Sequence, residues 1–296
     1  MSSFGYSKEL TMVHKTSLFL IGLLLSLTAC GFRFSLPIST VTPGPMLTDQ
    51  INVARPTGSA GSENLSLAFG AGTLKVHPGA NSLVSGTARY NIADFRPVVT
   101  ENGSNVRIEQ GNWHLTGLPD LSAIRNEWDL SLGDTPMNLY IEAGAYHAEY
   151  QFGGIALTDL TVKDGASNVK LDFASPNLAE MSLLSYGTGA SNVSLTGLGN
   201  ANFDSLIFNS GAGNFSLNFS GELRRNGSVN IETGVSNTTL VIPSGIPVQL
   251  TVDGGLSNVA YESNWSKNGN MYIQEGNGPQ LIIVVHMAAG NLTLTH

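Results

Sequence analysis

Cysteine is almost missing from this chain: Cys30 is the only one in 296 residues. That excludes an intrachain disulfide and any cysteine-built metal site. Charge is scarce too. Asp, Glu, Lys and Arg make up 12% of the residues, about half the usual share of a soluble protein. The net charge is −8 and the only basic pair is Arg224-Arg225. A nucleic-acid partner needs a clustered basic face, so that class is excluded, and the pair reads as a solvated turn before a strand. Helical periodicity is absent except for one candidate turn over Leu121 to Asn126. The longest apolar run, from Ser17 to Ala29, falls short of the ~20 residues a spanning helix needs.

That run does have the length of a signal-peptide core, and Lys8, His14 and Lys15 precede it as a basic region, with Met12 as an alternative start. Small residues then lead into the cysteine. Leu27-Thr28-Ala29-Cys30 resembles a bacterial lipobox, which implies that Cys30 becomes the lipidated first residue of the mature protein; the alternative is a buried thiol after an ordinary signal. Several acyl chains anchor firmly where one is marginal. Residues 30–60, with Pro37, Pro43, Pro45 and Pro56 among Ser, Thr and Gly, read as an extended spacer.

Glycine is plentiful, at 34 residues, and much of it belongs to one recurring phrase. Gly189-Ala-Ser-Asn-Val-Ser-Leu195 returns as Gly165-Ala-Ser-Asn-Val-Lys-Leu171, Gly211-Ala-Gly-Asn-Phe-Ser-Leu217, Gly234-Val-Ser-Asn-Thr-Thr-Leu240 and Gly255-Leu-Ser-Asn-Val-Ala-Tyr261. Weaker copies stand at Gly144–Tyr150 and Ala288–Leu294. From Gly144 to Gly255 the spacing of 21 to 24 residues is a repeat-architecture period, and the last copy follows after 33. Before each phrase apolar residues fall two apart, as in Leu139/Ile141, Leu160/Val162, Leu184/Tyr186 and Leu206/Phe208. After it they do so again, as in Val169/Leu171, Val193/Leu195 and Phe215/Leu217. Alternation with period two is the signal of a half-buried strand. One such unit cannot bury its apolar face, but stacked units can. The sequence therefore predicts an all-β fold: a β-solenoid-like stack of two-strand repeats over 137–296, with an N-terminal β region over 61–136.

The phrase itself reads as a corner, with Gly at φ > 0 and Asn in left-handed geometry. Asn168, Asn192, Asn214, Asn237 and Asn258 would then form a hydrogen-bonded ladder. The alternative is a line of amides that binds sugar or a cation. A Ca²⁺ β-roll needs Asp in every turn, and these turns have none. The main irregularity is the insertion 264–279, whose Trp265 and Tyr272 form a candidate binding surface. The chain stops inside a strand phrase at Leu292–His296, which predicts an open C-terminal edge over 281–296 for self-association or for a partner strand.

Nucleophile motifs are missing: His77, His114, His147, His286 and His296 stand in no Gly-x-Ser-x-Gly or similar setting. His147 takes the Asn position of its repeat. Asp120, Glu127, Asp129 and Asp134 are the only clustered carboxylates, so a glycosidase pair would have to come from them. No cofactor and no metal ion is expected.

Several phrases together resemble a known family. Leu67-Ala-Phe-Gly-Ala-Gly-Thr-Leu74, Leu83-Val-Ser-Gly-Thr-Ala-Arg-Tyr-Asn91 and Asn126-Glu-Trp-Asp-Leu-Ser-Leu132 lead into Pro136-Met-Asn-Leu-Tyr-Ile-Glu-Ala-Gly-Ala145. This series is similar to the toast-rack family, and the likeness extends over residues 61–296. The resemblance implies a bacterial cell-envelope β domain of the kind found in lipoproteins, adhesin-like proteins and cell-wall-stress regulators. It transfers no catalytic residues. The usual acidic residues after the Gly-Ala turn are replaced here by Ser-Asn. The expected function is a membrane-anchored, non-enzymatic, extracytoplasmic scaffold or binding module, with an envelope protein or glycan as partner. A sensor acting on a membrane signalling protein is the alternative, and a carbohydrate-active enzyme using Glu127 or Asp129 a distant third.

Overall fold

The computed structural model describes residues 43–55, 61–111 and 123–296. Cys30, Trp113, His114 and Asp120 lie outside the described residues. The strands are β1 (Leu47–Val53), β2 (Glu63–Pro78), β3 (Val84–Tyr90), β4 (Pro97–Asn102), β5 (Asn105–Gln110), β6 (Asn126–Leu132), β7 (Met137–Gln151) and β8 (Leu157–Asp172). They continue as β9 (Met181–Thr196), β10 (Phe203–Asn218), β11 (Gly227–Val241), β12 (Val248–Tyr261), β13 (Trp265–Asn268), β14 (Met271–Gln274) and β15 (Leu281–Thr295).

Each repeat is one long strand bent at the Gly phrase, so the two predicted strands are two arms of the same element. Neighbouring coils pair in parallel and in register. Leu160 stands beside Leu184, Leu206 and Val229 along the first arm, and Val169 beside Val193, Phe215 and Thr238 along the second. These are the columns that the period-two alternation predicts, and their side chains are buried. The arms face one interior: the rings of Phe208 and Phe215, one on each arm of β10, lie 5.1 Å apart. Between coils, Tyr186 stacks on Phe208 at 5.7 Å.

The stack begins earlier than expected. β2 pairs in parallel with β7 from Glu63 to Val76, so the sheet runs without a break across position 136. On its other side β2 meets β5 along the first arm and β6 along the second. These two short strands act as one coil interrupted between Gln110 and Asn126. The hairpin β4–β5 and the antiparallel order β6–β3–β1 finish this end.

Four expectations are corrected. The spacer reading of 30–60 fails over β1, where alternating Ile51 and Val53 enter the core. Helical turns occur at Ala93–Phe95 and Leu198–Ala201, whereas Asn126 opens β6. The corner glycines do not share a left-handed backbone, and Asn202 is the only non-glycine residue at positive φ among the described residues. The C-terminal strand is not an edge: β15 lies between β11 and β12. The chain leaves β12, folds the β13–β14 hairpin against the outer side of Val248–Thr251, and returns on the inner side. Hydrophobicity explains this order. β15 buries Ile283, Val285, Met287, Leu292 and Leu294, and a strand with two neighbours suits such a run. β12, broken by Asp253-Gly254-Gly255, takes the outside position, and its Tyr261 is 44% exposed.

Candidate functional site

The bend is built by backbone packing. A Cβ on Gly144, Gly189, Gly211 or Gly234 would overlap the carbonyl oxygen of the corresponding glycine in the preceding coil, respectively Gly70, Gly165, Gly189 and Gly211. Glycine is needed there for close approach, not for its φ. Two residues on, Gly213 and Gly290 do have positive φ, and a Cβ would overlap the oxygens of Ser191 and Ser236.

Beside this bend a shallow groove of about 910 Å³ runs across six successive coils. Its walls are the residues two before each phrase: Lys163 on β8, Gly187 on β9, Asn209 on β10, Glu232 on β11, His286 on β15 and Asp253 on β12. Five strand spacings make it about 24 Å long. His286 Nδ1 lies 3.6 Å from Asp253 Oδ2. Gly187 leaves a gap in the row, because a Cβ there would find its nearest atoms only 4.0 Å away. On the floor, Ser210 Oγ is buried with no hydrogen-bond partner among the described residues.

Asp164 closes one end of the groove. Its Oδ2 accepts from the Tyr186 hydroxyl at 2.7 Å and the Tyr146 hydroxyl at 3.2 Å. Its Oδ1 accepts from Ser167 at 3.0 Å, Ser191 at 3.5 Å and Thr188. Tyr150 donates to Tyr146 at 3.1 Å. Burial pushes the three phenols well above their ordinary range; the neighbouring phenols and Asp164 add to it. All three stay protonated as donors, and the carboxylate is held by hydroxyls instead of a cation.

The amide file stands on the outside of the second arm. Asn291 donates to Asn237 at 2.8 Å, Asn237 to Asn214 at 3.2 Å and Asn214 to Asn192 at 2.8 Å. Asn168 and Asn258 share the column by register, beside Asn192 and Asn291, and His147 precedes Asn168 in it. Each rung uses one N–H and one lone pair along the file, leaving the others to face solvent. A second file, which the sequence reading missed, runs through Asn138, Asn64 and Asn105, with contacts of 2.9 and 3.0 Å. Their equal register was the signal.

Trp265 and Tyr272 do not form a binding surface. Both are buried because the β13–β14 hairpin turns inward to cover the exposed flank of β12. Tyr272 packs edge-on against Tyr261 at 5.2 Å. The clustered carboxylates are engaged on the surface: Asp129 with His77 at 2.9 Å, Glu127 with Arg89 at 3.8 Å and Asp134 with Arg55 at 2.6 Å. Arg224 and Arg225 likewise meet Glu222, Glu180 and Asp204.

Residues 42–184 match the family model for the N-terminal domain of toast_rack, DUF2154. No curated protein matches the chain. Among solved structures, a candidate cell adhesion protein from Clostridium sporogenes is 19% identical, with a TM-score of 0.48 over 85% of this chain and 99% of that one. A candidate adhesin from Bacteroides fragilis has 10% identity and a TM-score of 0.42, over 86% and 99%. A candidate lipid binding protein from Parabacteroides distasonis has 10% identity and a TM-score of 0.41, over 86% and 98%. With scores of 0.48 and below, the fold assignment rests on this chain's own strand pairing. Over residues 42–184 the chain carries the N-terminal domain of the toast-rack family.

Proposed function

We propose that the protein is a lipid-anchored, non-enzymatic module of the bacterial cell envelope that binds an extended polar polymer, a glycan strand, along its corner groove. The observation that carries this reading is the continuity of the groove across six in-register coils. A rigid linear track suits a linear ligand. Its walls offer an amide, hydroxyls and three carboxylates with one lysine and one histidine, which suits a polyhydroxylated chain carrying amino or amide groups. Ser210 Oγ supports the same reading, since a buried hydroxyl without a partner costs stability until something bonds it. The lipobox-like Leu27–Cys30 segment supports anchoring outside the cytoplasm.

Gly187 provides the test. A Cβ there meets no atom closer than 4.0 Å, so Gly187→Trp fills the groove while the coil packing stays intact. Binding of purified wall glycan strands to the full chain is expected to fall at least tenfold in this variant, with unchanged thermal unfolding. Equal binding by the two proteins contradicts the groove assignment. Recovery of Cys30→Ser in the membrane fraction at the wild-type level contradicts the anchor.

A further inference from the structure

The two ends of the stack differ in a way that bears on how the molecule meets a membrane. Eight large apolar side chains are exposed among the described residues, and four of them, Met46, Leu47, Val98 and Val99, belong to the N-terminal end. They are between 37% and 46% exposed. The other four are scattered: Leu178 in a return loop, Val235 at the bend, Ile282 on an arm, and Tyr261 on the far edge. Single exposures of that kind are ordinary, whereas a cluster marks a contact. The strands that carry these residues are tied together at this end. β1 and β4 are the terminal strands of the two arms, and Arg96, next to β4, pairs with Asp49 of β1 at 3.4 Å. Val98 and Val99 are consecutive, so they flank on both sides the edge of β4 that has no strand partner among the described residues.

The covalent chain leads from this end to the proposed anchor. Pro43, which precedes Met46, is thirteen residues after Cys30, a span of at most about 45 Å. Charge favours the same orientation. Residues 137–296 hold 5 Lys and Arg against 12 Asp and Glu, whereas residues 43–136 hold 6 against 9. An anionic bilayer therefore repels the distal coils more strongly than the N-terminal end.

We infer that the N-terminal end seats on the bilayer, with Leu47, Val98 and Val99 entering the headgroup region and the coils standing outward as a column. The partner is a lipid surface, and the contact is shallow. The backbone groups of β1 and β4 that have no strand partner among the described residues are tolerable among headgroups but not in hydrocarbon. The inference rests on the anchoring at Cys30 proposed above.

Nitroxide labels on Leu47→Cys, Val98→Cys, Val99→Cys, Val235→Cys and Ile282→Cys test it, each in the full lipidated chain on vesicles of phosphatidylethanolamine and phosphatidylglycerol. Once Cys30 carries lipid, the introduced cysteine is the only free thiol. Labels at 47, 98 and 99 are expected to gain collisions with dissolved oxygen and lose several-fold in collisions with a water-soluble nickel chelate. Labels at 235 and 282 are expected to remain aqueous. A Leu47→Asp, Val98→Asp variant labelled at 99 should regain the aqueous signal while still bound. Aqueous signals at all five sites on vesicle-bound protein overturn the seating alone. Density-dependent dipolar broadening at 47 and 98 indicates a second copy on this surface and also overturns it. Failure to float with vesicles, or labelling of the unsubstituted chain at Cys30, overturns the anchor and the seating with it.

Discussion

Every coil reverses direction twice, and the two reversals use opposite chemistry. At the bend, backbone rests on backbone, with glycine stacked on the carbonyl of the glycine below. At the return loops, side-chain amides fill the gaps. Asn177, buried, donates to the carbonyls of Leu157, Ala179 and Ala201 at 2.8, 2.9 and 3.2 Å and accepts from Leu157 N–H at 2.8 Å. Asn200 ties Phe173 O to Glu222 N–H, and Gln274 bonds Pro243 O and Ile246 O. Direct backbone contact leaves little latitude, so the bend keeps its phrase with few changes, such as Ala288 at the glycine position and His147 at the asparagine position. An amide reaches across gaps of different size, so the loops vary in length and sequence.

This contrast can be broken most sharply at Gly213. Its positive φ and its contact with Ser191 O combine strain and overlap, so Gly213→Ala is expected to cost about 3 kcal/mol or more in urea unfolding. Asn177→Ala comes next. It leaves several buried backbone groups without partners, for a loss of about 2 kcal/mol. Asn214→Ala interrupts the exposed file at one rung and is expected to cost less than ~1 kcal/mol. Gly187→Ala, whose Cβ meets no atom closer than 4.0 Å, should stay within about 0.5 kcal/mol of wild type. Parity between Gly213→Ala and Gly187→Ala in the same unfolding series removes the distinction between backbone overlap and ordinary contact.

The hydroxyl cluster around Asp164 adds a pH test. Burial raises the pKa values of Tyr146, Tyr150 and Tyr186, so folding favours their neutral form. That stability is complete below the phenol pKa of the unfolded chain, near 10, and is lost as pH rises above it. These three phenols should ionise only as the protein unfolds, with the absorbance rise of phenolate coinciding with the loss of circular dichroism. Their titration in the folded state near pH 10 contradicts the burial.

The columns were legible in the sequence because the Gly phrase fixes a starting point and side chains alternate strictly from it. The reason for glycine was not, since a close approach to another coil leaves no mark on the local pattern. Asp164 and the groove residues carried a signal, their constant place before each phrase, but Lys163, Asn209, Glu232, His286 and Asp253 share no chemistry that would have drawn them together. The position of β15 was hidden for the opposite reason. All coils carry the same phrase, so Asn291 fits beside Asn237 or beyond Asn258 equally well by register. Burial decides between them, and only the whole molecule reveals burial.

That threading is the most direct test of a continuous stack whose coils depart from chain order. Adjacent strands place paired Cα atoms about 5 Å apart, within reach of a disulfide, while the next strand is about 10 Å away and out of reach. Asn237 pairs with Asn291, and Asn291 with Asn258. Under mild oxidation, cysteines introduced together at Asn237 and Asn291 are predicted to close a disulfide in the folded protein, whereas those at Asn237 and Asn258 are predicted to stay reduced. Closure of the second pair and not the first contradicts the account and restores the coils to chain order.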